Sequence, residues 1–178
     1  MKGALFEFHA VTAIIAGAIG VPGRRTFYLL IGQNDTWLRL WLEKEQLQTL
    51  ALAIGQLLEL LPGYDLRAEP PAAAAGPPAD AQVVAEFKVG RLALGYDDRR
   101  EMLVLYAYEQ EAGESSQPIL ACWATPEQMH ALGNQSTAVC AAGRPICRLC
   151  GQSIDPDGHM CPRRNGHASA RLREELGP

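Results

Sequence analysis

The sequence predicts an α+β protein in which two β-β-β-α halves form an antiparallel sheet layer covered by helices, with a small cysteine-rich tail after them. Three observations predict this fold class. Strand-like runs alternate with helical apolar periods, the chain repeats itself once without a gap, and three of its five cysteines lie near its end. The 178 residues, 48% of them hydrophobic, are enough for one ordinary core and exclude an intrinsically disordered chain.

The first half, residues 1–66, is predicted to contain several strands followed by one helix. Strand patterns occur at 5–9 (an edge strand), 12–19, 26–31 and 36–42. Apolar residues between 43 and 61 then recur at a helical period, which ends at Pro62. The apolar run at 11–21 imitates the core of a signal peptide, but a turn and another apolar run follow it. We therefore interpret it as a buried strand.

The second half, residues 82–143, is predicted to repeat this plan after a linker. Residues 67–81 are rich in Pro and Ala and contain no aromatic or branched aliphatic side chain, which is typical of a solvated linker. Strand patterns follow at 85–95, 101–109 and 118–124. Thr125 can then cap a helix that starts at Pro126, and Gln128 can complete a capping box, so a helix is predicted to about residue 142.

An internal repeat supports the division into halves. An offset of 82 residues without a gap aligns five positions where a strand gives way to a helix: Trp41 with Trp123, Glu45 with Glu127, Gln46 with Gln128, Leu47 with Met129, and Leu50 with Leu132. Such a repeat predicts two similar structural units. We interpret the two tryptophans as anchors between helix and sheet rather than as ligand-binding residues.

A cluster of cysteines and histidines follows the body, which we predict to comprise residues 1–143. A Cys-x-x-Cys pair lets two thiolates face one ion, and a third cysteine and a histidine complete the set of four tetrahedral ligands that zinc prefers. The candidate ligands are Cys147, Cys150, Cys161 and either His159 or His167. We predict a zinc-ribbon-like module at 144–170, followed by a tail at 171–178, and expect its folding to depend on the metal.

Other uses of this cluster fit the sequence less well. An iron–sulfur cluster usually takes four thiolates, and only three are local. A redox dithiol has no βαβ context here and leaves Cys161 and the histidines unexplained. A catalytic zinc ion needs an open coordination position and a general base, whereas the run from Asp155 to Gly158 is more simply a turn. The zinc ion is therefore expected to be structural.

Charge is distributed unevenly along the chain. The net charge of −4 argues against a protein whose whole surface binds nucleic acid or a membrane. Residues 143–178 contain six arginines and four acidic residues, so the C-terminal part is basic and the body acidic. We interpret its basic groups as a solvated face, with phosphate or nucleic-acid contact as the alternative, although no aromatic residue there supports base stacking. The candidate contact residues are Arg24 and Arg25 after the first turn, and Arg163 and Arg164 beside the cysteines.

Five stretches carry a recognisable pattern. They are GVPGRRTFYL at 20–29, LEKEQ at 42–46, FKVGRLALGY at 87–96, AGRP at 142–145, and Cys-x-x-Cys-Gly with Gly-His-x-Cys-Pro-Arg-x-Asn-Gly between 147 and 166. Together they resemble a bacterial family of domains of unknown function, DUF3090, over nearly the whole chain. The family pattern is looser at His167, so the resemblance implies His159 as the fourth ligand. The chain departs from the pattern at Arg148, where Pro is usual, and at Val21, where an acid is usual.

The sequence contains no motif that assigns a reaction. It has no phosphate-binding Gly-rich loop, nucleophile elbow or His-Glu-x-x-His pattern, and the resemblance implies no established activity. We therefore expect a cytoplasmic binding or regulatory module with a structural zinc ion and an unidentified protein partner, rather than an enzyme or a membrane protein. Two alternatives stay open. One is an enzyme with a cleft between the halves that uses Arg24 and Arg25, and the other is nucleic-acid or phosphate contact through the Arg-rich tail.

Overall fold

The residues that the structure describes form seven strands and two helices. The computed structural model describes residues 3–21, 24–72, 82–111, 113, 117–142, 147–150 and 160–163. The elements are β1 (Phe6–Phe8), β2 (Ala13–Val21), β3 (Arg24–Gln33), β4 (Thr36–Leu42), α1 (Lys44–Glu59), β5 (Gln82–Asp97), β6 (Met102–Glu109), β7 (Leu120–Ala124) and α2 (Pro126–Ala141). The chain divides into two compact units, Met1–Cys140 and Ala141–Pro178. The predicted domain boundaries, including the end of the zinc-ribbon-like module, stay predictions.

The predicted α+β class is confirmed, with one difference in the sheet. Its strand order is β1-β7-β6-β5-β4-β3-β2. Strands within each half pair antiparallel, as predicted, but β4 with β5 and β1 with β7 pair parallel. The β4–β5 pair is parallel because α1 lies between the two strands and carries the chain back to the starting end of the sheet. The sheet is therefore mixed, although mostly antiparallel.

The sheet is so strongly curved that its two edges meet. β1 and β2 lie at opposite edges of the strand order, yet only residues 9–12 join them. Seven flat strands would separate the edges by about 29 Å, whereas this connection reaches at most about 18 Å. Two hydrogen bonds mark the closure: Val11 N–H donates to the Trp123 carbonyl at 3.1 Å, and Thr12 N–H donates to the Gly32 carbonyl at 2.7 Å.

Each half begins with a bent strand that bridges the two halves. In β5, residues 82–88 pair with β4, and residues 89–97 pair with β6 after a bulge at Gly90. In the first half, β1 pairs with β7 of the second half, and β2 pairs with β3 of its own half. β1 therefore corresponds to the first part of β5, and β2 corresponds to its second part. An added Cβ on Gly90 would lie 2.7 Å from the Gln110 Cα, so the bulge requires glycine.

The two helices have the same length, lie 82 positions apart in the sequence, and begin with the same kind of cap. Each has 16 residues, and the offset of 82 found in the sequence relates their ends. The predicted capping box of α2 is confirmed: Gln128 N–H donates to Thr125 Oγ1 at 3.2 Å, and Thr125 N–H donates to Gln128 Oε1 at 2.9 Å. Gln46 accepts from the Glu43 N–H at the start of α1 in the same way.

One continuous apolar core lies between the sheet and both helices. Its fully buried members include Leu47, Ile54 and Leu58 of α1, Met129 and Leu132 of α2, and Leu29, Ile31, Leu38, Leu40, Leu103, Leu105 and Leu120 of the sheet. The helices approach each other closely at Gly133, where an added Cβ would lie 3.4 Å from Ile54. A shared apolar core of this kind counts against the polar catalytic cleft, holding Arg24 and Arg25, that one alternative placed between the halves.

The other face of the sheet, called the outer face below, carries aromatic and charged side chains. Leu40 and Leu42 face the core, so the two-residue alternation of a strand directs Trp41 to the outer face. Trp123 lies between the core residues Cys122 and Ala124 and points the same way. The prediction that the two tryptophans anchor the helices is therefore wrong.

Candidate metal centre

The second unit brings three of the predicted zinc ligands together. The sulfur atoms of Cys147, Cys150 and Cys161 all lie within 4.8 Å of one another. Cys147 and Cys161, although 14 positions apart, have sulfurs 3.7 Å apart, and both side chains are buried. Two thiolates bound to one tetrahedral zinc ion at about 2.3 Å lie about 3.8 Å apart. The Cys147–Cys161 distance therefore matches this value, and all three sulfurs are close enough together that they could hold one metal ion.

A tight turn at residues 148–150 favours the thiolate form of Cys147. The backbone N–H of Cys150 and, next, that of Leu149 bond to the Cys147 sulfur. These donors outweigh the opposing effect of burial and, with the neighbouring Cys150 and Cys161 side chains, lower the pKa of Cys147 to about 6. A metal ligand must be a thiolate, so the turn prepares the sulfur for a metal ion.

An arginine connects the two ends of the cluster. Arg163 Nη1 donates to the Leu149 carbonyl at 3.2 Å, which ties the segment after Cys161 to the turn after Cys147. This contact was not predicted, because Arg163 was assigned to phosphate or partner contact. The other predicted residues of this region, His159, His167 and Arg164, lie outside the described residues. The identity of the fourth ligand therefore stays a prediction.

Arg24 and Arg25 lie in the first unit, at the start of β3. They pair with Val21 and Gly20 at the end of the β2–β3 hairpin, and Arg24 is exposed. Gly20 has a φ of 109°, and a Cβ there would collide with the Arg24 carbonyl, so this turn depends on glycine. Contact of either arginine with phosphate or a partner stays a prediction.

Two groups on the outer face were missed by the sequence analysis. In the first, Trp41 Nε1 donates to Glu86 at 2.8 Å, and Arg39 bonds the other oxygen of that carboxylate at 3.0 Å. The Arg39 guanidinium also lies 5.3 Å from the Trp41 ring and 5.6 Å from that of Tyr28. Arg39 and Trp41 stand two positions apart in a predicted strand, which is the signal that could have placed them on one face.

The second group repeats the same chemistry around the equivalent tryptophan. Trp123 Nε1 donates to Asp97 at 3.0 Å, and Arg100 bonds the same carboxylate at 2.7 Å while its guanidinium lies 4.8 Å from the Trp123 ring. The Arg100 hydrogen bond is the largest of the effects that lower the pKa of Asp97. An open depression of about 440 Å³ lies beside this group and includes Tyr96 and Tyr106. Each half therefore displays a tryptophan held between a carboxylate and an arginine.

Two further reactive side chains are buried in the body. Burial of Cys122 in the core raises the pKa of its thiol to about 12, so this cysteine stays protonated. His130 is buried on α2, and its Nδ1 lies 3.2 Å from the Tyr64 hydroxyl.

Comparison with known proteins gives a family and no closer match. Within the described residues, no helix has the length and apolar character needed to cross a membrane. No curated protein and no solved structure matches the chain. A family model described as "Protein of unknown function (DUF3090)" matches residues 6–161, a range that includes the whole sheet, both helices and all three clustered cysteines. The chain therefore belongs to the DUF3090 family, as its sequence resemblance indicated.

Proposed function

We propose that the protein is a binding module whose C-terminal segment is organised by one structural zinc ion. The ligands are Cys147, Cys150, Cys161 and one histidine, which is His159 with His167 as the alternative. The observation that supports this proposal is the approach of three sulfurs to within 4.8 Å of one another. Thiolate and imidazole together select zinc among the common divalent ions. Four protein ligands leave no open position for substrate, and burial of two of the cysteines fits a structural role.

A reducing compartment fits the chemistry of the cluster. None of the five cysteines forms a disulfide, and the clustered thiols would oxidise to one another outside the cell. We therefore place the protein in the cytoplasm, where the thiols stay available to zinc.

The outer face supports a protein partner. Tryptophan, tyrosine and arginine are the residue types most enriched at protein interfaces, and the groups around Trp41 and Trp123 present all three. No helix of the described residues covers these side chains, since α1 and α2 pack on the core side. The partner itself stays unidentified.

Metal analysis of the purified full chain tests the zinc proposal. We expect about one zinc ion per chain, lost in Cys150→Ala and Cys161→Ser and kept in Cys122→Ala, which removes a cysteine from the core instead. A zinc content below about half an equivalent in the wild-type protein, or equal in all four proteins, would overturn the proposal. His159→Ala and His167→Ala, compared in the same way, identify the fourth ligand as the one whose loss weakens zinc binding.

A further inference from the structure

A cavity between α1 of the first half and β5 of the second half, called the α1–β5 cavity below, belongs neither to the metal centre nor to the outer face. It has a volume of about 360 Å³, which is near the lower end of the range for small-molecule sites. Its wall is mostly apolar, with polar groups from the start of α1 and from the β5 bulge. The residues that matter here are Leu50, Leu92, Leu94 and Ala53, together with Thr49 and Arg91.

The cavity lies along an edge of the sheet. β4 pairs with β5 only as far as Lys88, and residues 89–97 of β5 have β6 as their one strand neighbour among the described residues. The side of residues 89–97 that faces away from β6 therefore runs past α1, beside the cavity, and carries backbone N–H and C=O groups. Such groups need hydrogen-bond partners when they are shielded from water. Gln46 supplies some, because its side-chain amide donates to the Val89 and Gly90 carbonyls.

The equivalent place lies between α2 of the second half and β2 of the first half. The sheet register establishes the match. Across β5, β6 and β7, Leu94 pairs with Leu105, which pairs with Cys122. Across β2, β3 and β4, Ala16 pairs in the same way with Leu29, which pairs with Leu40. Leu40 and Cys122 are related by the same offset that relates the helices. Leu94 therefore corresponds to Ala16. Gln128 donates to the Val11 carbonyl just before β2, as Gln46 does at the β5 bulge.

One side chain fills this place in the second half and is absent from the first. Gln135 on α2 reaches the strand, and its Oε1 accepts a hydrogen bond from the Ala16 N–H at 2.9 Å. Its counterpart on α1 is Ala53, whose side chain ends at Cβ and lines the cavity. The chain thus shows, within its own structure, what kind of group fits this position. It is an aliphatic stem that ends in a carboxamide.

We propose that the α1–β5 cavity binds a small aliphatic amide. The stem of the ligand packs against Leu50, Leu92 and Leu94, and its carbonyl oxygen accepts a hydrogen bond from the β5 edge at Leu94, as Gln135 Oε1 does from Ala16. The cavity exceeds the space left by one glutamine side chain, so the stem is longer than that of glutamine. The group that fills the equivalent place is the neutral carboxamide of Gln135, which favours a neutral amide over a carboxylate.

Titration of the ¹⁵N-labelled full chain with hexanamide, followed by ¹H–¹⁵N NMR, tests this proposal. We expect saturable shifts of the Leu94, Gly90 and Ala53 amide signals with a Kd on the order of millimolar, as for a ligand of about eight heavy atoms. Hexanoate, which has the same stem and a negative charge, should bind at least about threefold more weakly. Absence of saturable shifts at Leu94, or equal affinity for the acid and the amide, would overturn the proposal.

A matched pair of variants separates this site from nonspecific binding. Ala53→Gln gives the first half the side chain that fills the second, and should weaken hexanamide binding at least about tenfold without lowering the melting temperature. Gln135→Ala should leave binding at Leu94 unchanged and create new shifts at Ala16. If Ala53→Gln does not fold, Ala53→Leu fills the same space. Unchanged affinity in the folded filling variant would exclude the cavity as the site.

Discussion

The sheet body and the three-cysteine cluster differ in what holds each of them together. The body has a continuous apolar core in which Leu38, Leu40, Leu103 and Leu105 have no exposed surface. Burying one such side chain contributes about 1.5–3 kcal/mol, so the many apolar contacts can support the fold without a metal. The cluster contains three thiols and one described arginine contact, and a module of that size cannot build a comparable core. With the proposed zinc ion, the comparison predicts that one chain combines two sources of stability, an apolar core in the body and a metal ion in the C-terminal segment.

The largest expected effect comes from removal of the metal. Chelation of zinc, or the Cys161→Ser substitution, should remove a metal-binding free energy on the order of 10 kcal/mol from the C-terminal segment. Because every residue of the body core lies before residue 141, we expect the melting temperature of the body to change by less than about 3 °C. Limited proteolysis with mass spectrometry should show new cleavage after residue 141 only. A large fall in the melting temperature would contradict the independence of the two regions.

A core substitution should have the opposite effect: it should destabilise the body and leave zinc binding unchanged. Leu105→Ala removes a fully buried side chain between the sheet and the helices and should lower the free energy of unfolding by about 2–5 kcal/mol. Urea denaturation followed by circular dichroism measures this change. The zinc content of the folded variant should stay equal to that of the wild-type protein. The exposed Leu52→Ala on α1 is the matched control and should change stability by less than about 0.5 kcal/mol.

Loss of the α2 cap should produce a smaller change within the body. Thr125→Ala removes the hydroxyl that accepts from the Gln128 N–H, and should cost about 1 kcal/mol of stability. Thr125→Ser keeps the hydroxyl and should behave almost as the wild-type protein in the same denaturation experiment. Equal losses in the two variants would show that the methyl group, rather than the cap, stabilises the helix.

The smallest expected effect is the loss, in acid, of the stability that the Asp97 carboxylate on the outer face contributes. Arg100 and Trp123 hold the pKa of Asp97 below its ordinary value of 3.8, so the folded protein favours the charged carboxylate. The resulting stabilisation is present above that ordinary pKa and is lost as the pH falls through the lower, folded value. Melting curves of wild-type protein and Asp97→Asn should therefore differ at neutral pH and converge as the pH falls below the lowered pKa of Asp97. A difference that grows in acid would contradict the assignment.

Local patterns predicted most of the secondary structure. The capping box at Thr125 and Gln128 and the strand at 36–42 were predicted from neighbouring residues alone, and the structure confirms them. The spacing of Cys147, Cys150 and Cys161 predicted their approach in the same way, because a Cys-x-x-Cys pair followed by a further cysteine is a common spacing of zinc ligands.

Features that depend on distant pairing were not predictable in this way. The parallel pairing of Phe6 with Leu120 and the closure at Val11 join segments more than a hundred residues apart, and no local pattern encodes them. The orientation of Trp41 and Trp123 was missed for a different reason. Their strands alternate between core and outer face, so each tryptophan points away from the two core residues beside it, Leu40 and Leu42 for Trp41 and Cys122 and Ala124 for Trp123.

The pairing of β1 with β7 has a consequence for synthesis of the chain. Phe6–Phe8 is synthesised more than a hundred residues before its partner Leu120–Cys122. Until β7 is synthesised, β1 lacks its only strand neighbour among the described residues, and exposed strand edges are sites of aggregation. The body can therefore complete its fold only after β7 has been synthesised, and substitutions that slow the β1–β7 pairing should reduce the yield of protein more than its final stability.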